Sequence, residues 1–266
     1  MSINLNSEYP AKKMIEHFAE ELFEFLFPIL KGKNNLPFDD VEKLQDLKNQ
    51  LNYLIFPQLN KSGLTINEIV KSFFIELPLI YEELKTDATQ ILESDPAANS
   101  CDEIYMAYPG FYAVSIYRFA HSLGKLKVKL LPRVITEFAH SKTGIDIHPE
   151  AKIGKSFFID HGTGVVIGQT AIIGDRVKIF QGVTLGALSV EKTFANLKRH
   201  PTIEENVVIY SGATILGGET IIGKNTVIGG NVWVTESVPA NSLVYHKSDT
   251  RIRTKQEQIT IIDFSI

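Results

Sequence analysis

Two regimes of residue usage predict an α+β chain in two parts: an all-α helical domain over residues 1–143, then a parallel β-helix over 144–245, with a short tail at 246–266. Glycine marks the division. Five of the 18 glycines lie in residues 1–144 and the other 13 in 145–245, while 11 of the 16 phenylalanines precede residue 145. Branched aliphatics supply the second observation. They recur every six residues at Ile147, Ile153 and Ile159, then at Ile167, Ile173, Ile179 and Leu185, and again from Ile203 to Val234. A six-residue period is neither helical nor simple strand alternation. It describes a coil in which each hexad makes one flat side and a corner, with the aliphatic pointing inward.

The helical part is read element by element. Ile15, Phe18, Ala19, Leu22, Leu26 and Ile29 fall on one helical face, and Pro28 and Gly32 close it. Val41, Leu44, Leu47, Leu51, Leu54 and Ile55 form a second face behind Asp39 and Asp40. Thr65-Ile66-Asn67-Glu68 is a capping box that opens a third helix, which Pro78 is expected to kink or divide. Asp95-Pro96 reads as an N-cap and first-turn pair for the next helix. Two more follow, at about 109–123 and 128–140, stopped by Gly124 and Gly144.

Within the β-helix the hexad phase slips by two residues between Ile159 and Ile167 and by one between Ile215 and Ile222. Between Leu185 and Ile203 it vanishes into a polar stretch with Glu191, Lys192, Lys198 and Arg199, so a loop at about 187–201 is expected to protrude from the prism.

Composition excludes several classes. The charge sum of −4 gives no global attraction for nucleic-acid phosphates. A single cysteine, Cys101, rules out an intramolecular disulfide and a Cys-based zinc site. The densest apolar stretch, LFEFLFPIL at 22–30, is too short to span a bilayer and carries Glu24. The N-terminus lacks a signal-peptide layout. A soluble, cytoplasmic protein with no membrane or nucleic-acid partner is expected.

Hexads of the form [LIV]-G-x4 resemble those of the left-handed β-helix acyltransferases, and the handedness is implied by that resemblance alone. Within the superfamily the chain closely resembles the serine O-acetyltransferases. The strings that carry this are SDPAA (94–98), PGFYAVSIYR (109–118), DIHPEAKIG (146–154), IDHGTGVVIGQTA (159–171), VTLGA (183–187) and KRHP (198–201). The resemblance covers about residues 90–245. It implies transfer of acetyl from acetyl-CoA to the hydroxyl of L-serine, giving O-acetylserine and CoA, the first step of cysteine biosynthesis. Acetyl-CoA is a co-substrate, with no tightly bound cofactor and no metal.

That chemistry needs a base to take the serine proton as the new bond forms. His161 stands where two extra residues bulge from the repeat. Asp146 lies 15 residues earlier, near one 18-residue coil, which is expected to stack it on His161. The resemblance makes His161 the base and Asp146 its orienting carboxylate. A zwitterionic acceptor calls for carboxylates at its ammonium and a guanidinium fork at its carboxylate. By resemblance these are Asp95 and Asp160 on one side, Arg199 and His200 on the other. Asp95 has a competing duty as N-cap. Gly186 and Ala187 at the loop root, with Ser211 and Gly230 on later coils, match positions that approach acetyl-CoA. His148 has no assigned role. Cys101 as an acyl-carrying nucleophile has no His near it in sequence, so direct transfer is favoured.

The resemblance also implies that Ile266 and its terminal carboxylate enter the active site of O-acetylserine sulfhydrylase, and that cysteine inhibits at the serine site. It further implies a homotrimer with active sites between adjacent prisms, two trimers joining as a homohexamer. The loop before Arg199 is longer and poorer in glycine than the family pattern, and Lys198 stands where an acidic residue is common. The rival readings are an acetyltransferase for homoserine, a sugar or an antibiotic, a β-helix carbonic anhydrase, and a non-catalytic scaffold. A neutral sugar needs no zwitterion clamp. No two of the seven histidines have the H-x4-H spacing of the anhydrase.

Overall fold

The computed structural model describes residues 9–33, 36–56, 64–188 and 197–247. Among the described residues six α-helices come first: α1 (Lys12–Leu26), α2 (Val41–Ile55), α3 (Ile66–Ser94), α4 (Cys101–Ala107), α5 (Pro109–Lys125) and α6 (Leu131–Thr143). A 3-10 turn (Pro28–Lys31) follows α1, and Gly32 closes it in the left-handed region (φ 65°). Asp40 caps α2 by accepting from Lys43 N, and the Thr65–Glu68 capping box opens α3. Pro78 does not divide α3, which runs unbroken for 29 residues. Phe73, Phe74 and Leu77 before it and Ile80, Leu84 and Ile91 after it are all buried in one core, and that packing outweighs one missing backbone hydrogen bond. Asp95 is not an N-cap either. It ends α3, while Ser100 caps α4 by accepting from Glu103 N.

Among the described residues, fourteen short parallel strands then wind five coils of a three-sided prism. The first coil holds β1 (Asp146–Ile147), β2 (Lys152–Ile153) and β3 (Phe158–Asp160), one on each face. The hexad aliphatics stack in three interior columns. Ile147, Ile167, Leu185, Ile215 and Val234 line the first face. Ile153, Ile173, Ile203 and Ile222 line the second, and Ile159, Ile179, Ile209, Ile228 and Val244 the third. The corner from second to third face repeats one left-handed residue per coil: Ser156, Arg176, Asn206, Asn225 and Asn241. Asparagine tolerates that region, and here its amides also form a ladder, Asn206 to Asn225 at 3.1 Å and Asn225 to Asn241 at 3.0 Å.

The loop leaves and rejoins within one coil. Thr184 pairs with Thr214, a step of 30 residues (184 to 214), whereas Val166 to Thr184 takes 18. Twelve residues are therefore extra, and 189–196 lie outside the described residues.

Helix α5 joins the two cores. Phe111, Ile116, Phe119 and Leu123 pack among the helices, while Ala113, Val114 and Tyr117 pack into the prism. Arg118 forks onto Asp87 of α3 at 2.8 and 2.9 Å and also donates to Gly154 O of the first coil. Phe157 N donates to the same Asp87. Truncating one partner of so buried a pair costs about 3–5 kcal/mol, because the other charge is stranded.

Candidate active site

Candidate residues gather at two corners of the prism. At the corner from third to first face, the chain turns through His161 (φ 55°), Gly162 (φ 87°) and Gly164 (φ 80°). This bulge projects the His161 side chain outward, 72% exposed, with Nε2 3.8 Å from the Asp160 carboxylate. One coil on, the same corner carries Gln181, then Ser211, then Gly230, joined by Gly212 N to Gln181 O and Asn231 N to Ser211 O. Gly182 N donates to Thr163 O in the same way, so Ser211 and Gly230 lie in the column that Thr163 heads, at the corner that His161 opens.

Asp95 reaches this corner from the helices. Its Oδ1 accepts from Ala97 N and its Oδ2 from the Tyr108 hydroxyl, both at 2.8 Å. Tyr108 precedes the first turn of α5, which presses onto β3 so closely that a Cβ on Gly110 would sit 2.1 Å from Ile159 O. Only glycine permits that approach. Burial and then the Asp95 hydrogen bond push the Tyr108 phenol up to about 12, so it stays a neutral donor.

Asp146 does not stack on His161. It pairs with Val166, a step of 20 residues (146 to 166), so the first coil is longer than 18 and Asp146 opens the coil that His161 closes. The bulge that displays the histidine is what lengthens the coil. Among the described residues no hydrogen bond or ion pair joins the two. The ligand atoms of Asp146 instead lie within 4.8 Å of those of Glu137 and His140 on α6. This is the one metal-capable constellation among the described residues, and acidic groups often cluster in this way without an ion.

The corner from first to second face holds the other set. Gly186 ends a first-face strand and Ala187 begins the loop. At the loop's return His200 is buried (8% exposed) in space that Gly168 vacates, since a Cβ there would lie 2.0 Å from the imidazole. The Thr170 hydroxyl accepts from Arg199 N and His200 N and donates to His200 Nδ1 at 2.9 Å; Thr170 N also donates to Nδ1. Nδ1 is therefore an acceptor and the ring proton sits on Nε2. Burial and the Arg199 and Lys198 charges lower the His200 pKa to about 4, so the ring is neutral. Arg199 donates to Gln169. His148 accepts from Glu150 N and shapes the first-coil turn, and burial lowers its pKa. Ile266 lies outside the described residues.

One chain thus brings Asp95, Asp160, His161, Ser211 and Gly230 to one corner and Gly186, Ala187, Arg199 and His200 to the next, a face apart. Tyr108, Thr170 and Gln169 were not singled out from the sequence. Gly168 and Thr170 stood inside the IDHGTGVVIGQTA string, but nothing in the string marks them as the seat of a histidine 30 residues away.

No family model matches the chain. Among curated proteins it is 52% identical over 193 residues to the plasmid serine acetyltransferase of Synechococcus elongatus, covering 71% of this chain and 59% of that protein. It is 48% identical over 135 residues to the serine acetyltransferase of Bacillus licheniformis, covering 51% and 61%. The matched stretch therefore spans about three-fifths of those curated relatives. Among solved structures, serine acetyltransferase isoform 3 of Entamoeba histolytica in complex with cysteine superposes with TM-score 0.80 at 36% identity, over 91% of this chain and 84% of that one. The chain belongs to the serine acetyltransferase family. A second family structure, Entamoeba histolytica serine acetyltransferase 1 with L-cysteine, has TM-score 0.78 at 37% identity, covering 90% and 89%. The serine acetyltransferase of Neisseria gonorrhoeae in complex with serine has TM-score 0.62 at 26%, covering 92% and 98%. These family structures run through helices and prism alike, so both corners lie inside the shared fold. Among the described residues no helix is long and apolar enough to cross a membrane.

Proposed function

We propose that the protein is a serine O-acetyltransferase that moves acetyl from acetyl-CoA to the hydroxyl of L-serine. The division of a zwitterion's recognition groups between two corners of one prism carries this reading: carboxylates with an exposed histidine at one, a guanidinium with a neutral imidazole at the other. The site is complete when the first corner of one copy faces the second corner of its neighbour, which a trimer supplies; a pair of trimers makes the hexamer.

In the reaction, Asp95 and Asp160 hold the serine ammonium, while Arg199 and the His200 Nε2–H of the adjacent copy hold its carboxylate. His161 takes the hydroxyl proton as the serine oxygen attacks the thioester carbonyl. The tetrahedral adduct collapses by breaking its C–S bond, and the imidazolium returns the proton to the CoA sulfur. Asp160 lies beside the forming imidazolium, and Asp146 serves as the orienting carboxylate. The CoA arm follows Ser211 and Gly230 along the corner that His161 opens and meets Gly186 and Ala187 of the neighbour, where small residues permit close approach. Cysteine matches serine in shape and charge and occupies the same pocket. The tail ending at Ile266 docks O-acetylserine sulfhydrylase, and the enzyme works in the cytoplasm.

Free-thiol release from acetyl-CoA tests this with L-serine, L-homoserine and no acceptor, alongside His161→Ala. Serine-dependent release that the variant loses is expected; release only with another acceptor reassigns the substrate. Mixing His161→Ala with Arg199→Ala subunits is expected to restore part of the activity. No restoration would place the whole site in one chain.

A further inference from the structure

We infer that Tyr108 is a positioning and specificity residue of the serine pocket, where its hydroxyl fixes Asp95 and completes a three-acceptor cradle for the substrate ammonium. The inference rests on the proposed serine acetyltransferase activity and deepens it.

The placement starts from local sequence. Tyr108 precedes Pro109, which excludes the helical region for it and leaves it extended (φ −89°, ψ 110°) between α4 and α5. Its backbone is tied at both ends, N–H to Ile104 O at 3.2 Å and carbonyl to Tyr112 N at 3.1 Å. Two residues on, Gly110 locks α5 against Ile159 O, so the start of α5 cannot shift without moving the strand that carries Asp160. The phenol is thereby set between the end of α3 and the end of β3.

From there the hydroxyl donates to Asp95 Oδ2 at 2.8 Å, and Ala97 N holds Oδ1 at the same distance. The two donors pin the carboxylate plane from opposite oxygens. Asp160 is close enough to act on the phenol electrostatically. An ammonium has three N–H donors and no acceptor. Asp95 and Asp160 meet two of them. The Tyr108 oxygen gives its proton to Asp95 and keeps its lone pairs for the third. A hydroxyl in place of the ammonium would bring one donor, no charge and its own lone pairs against two carboxylates. The cradle therefore selects amino acids over hydroxy acids.

Tyr108→Phe keeps the ring and removes the hydroxyl. The variant is expected to raise KM for L-serine about tenfold while kcat and KM for acetyl-CoA stay within about twofold. Calorimetry of L-serine and L-glycerate binding to the full chain, without acetyl-CoA, should show the preference for serine falling about tenfold. Tyr108→His, which keeps a donor, should recover part of it. An unchanged serine KM and an unchanged preference would overturn the inference, as would a parallel loss for both ligands, which marks a merely structural tyrosine. Wild-type protein that binds serine but transfers no acetyl would sink the reaction and leave the cradle standing. Wild-type protein that binds neither ligand would sink both.

Discussion

The two corners place a histidine each, and they treat it in opposite ways. His161 stands on a bulge of left-handed residues, exposed, with a carboxylate beside it at 3.8 Å. His200 is sunk into the gap over Gly168, its Nδ1 filled by Thr170 and its ring neutral. Identical side chains become an exposed imidazole and a rigid, buried neutral one because one corner spends backbone conformation on display and the other spends a missing Cβ on burial. Chemistry at the first corner is separable from stability, whereas at the second corner it is not.

The largest effect expected from breaking this contrast is in catalysis. His161→Ala should lower kcat by about 10²–10⁴-fold. Thermal unfolding should stay within about 0.5 kcal/mol of wild type, as for an exposed side chain whose charged neighbour, Asp160, lies at 3.8 Å. At the second corner the order inverts. Gly168→Ala forces a methyl into the His200 ring and should cost about 1–3 kcal/mol of stability by overpacking, read as a lower midpoint in denaturant. A midpoint unchanged by Gly168→Ala would mean that the ring is not held there.

Proton linkage sharpens the comparison further. The His200 pKa is lowered from 6.5 to about 4 in the folded chain, so between those values the unfolded chain binds more protons. Its contribution to stability is full above about pH 6.5 and is lost as pH falls towards 4. His200→Gln should therefore flatten the pH dependence of the melting temperature in that window relative to wild type. An equal slope in both proteins would place the titration elsewhere. The smallest effect belongs to Gly230→Ala. Its Cβ would come no nearer than 3.2 Å to Ser211 O, so stability should hold within about 0.5 kcal/mol. A severalfold rise in KM for acetyl-CoA is the expected readout, and an unchanged KM would take the CoA arm off this column.

Much of the fold was legible because its signals are local or strictly periodic. The hexad aliphatics from Ile147 to Val234 map onto the three interior columns, and Val244, outside the hexad count, extends the third. The Thr65 capping box and the Gly144 stop stand where the residues indicate. Three readings met a tertiary constraint that neighbouring positions do not record. Asp95-Pro96 has the form of a helix start, yet Tyr108, 13 residues on, holds the carboxylate that would have capped it. Pro78 has the form of a break, yet the buried residues on either side of it keep α3 whole. The count from Asp146 to His161 assumed an 18-residue coil, and the bulge at His161 itself makes the coil 20.

The sequence by itself determined the two-part architecture, the inward face of every coil and the residue types fit to handle a zwitterion. Those follow from patterning, which is written in neighbouring positions. Only the tertiary structure decided which of those residues meet. It set Asp95 under Tyr108, seated His200 over Gly168, placed Asp146 at the opening of the coil that His161 closes and put Arg199 a face away from His161. A corner is made by coils stacking through residues about 20 to 30 positions apart, and its contacts depend on each coil's length, which a single bulge or loop resets.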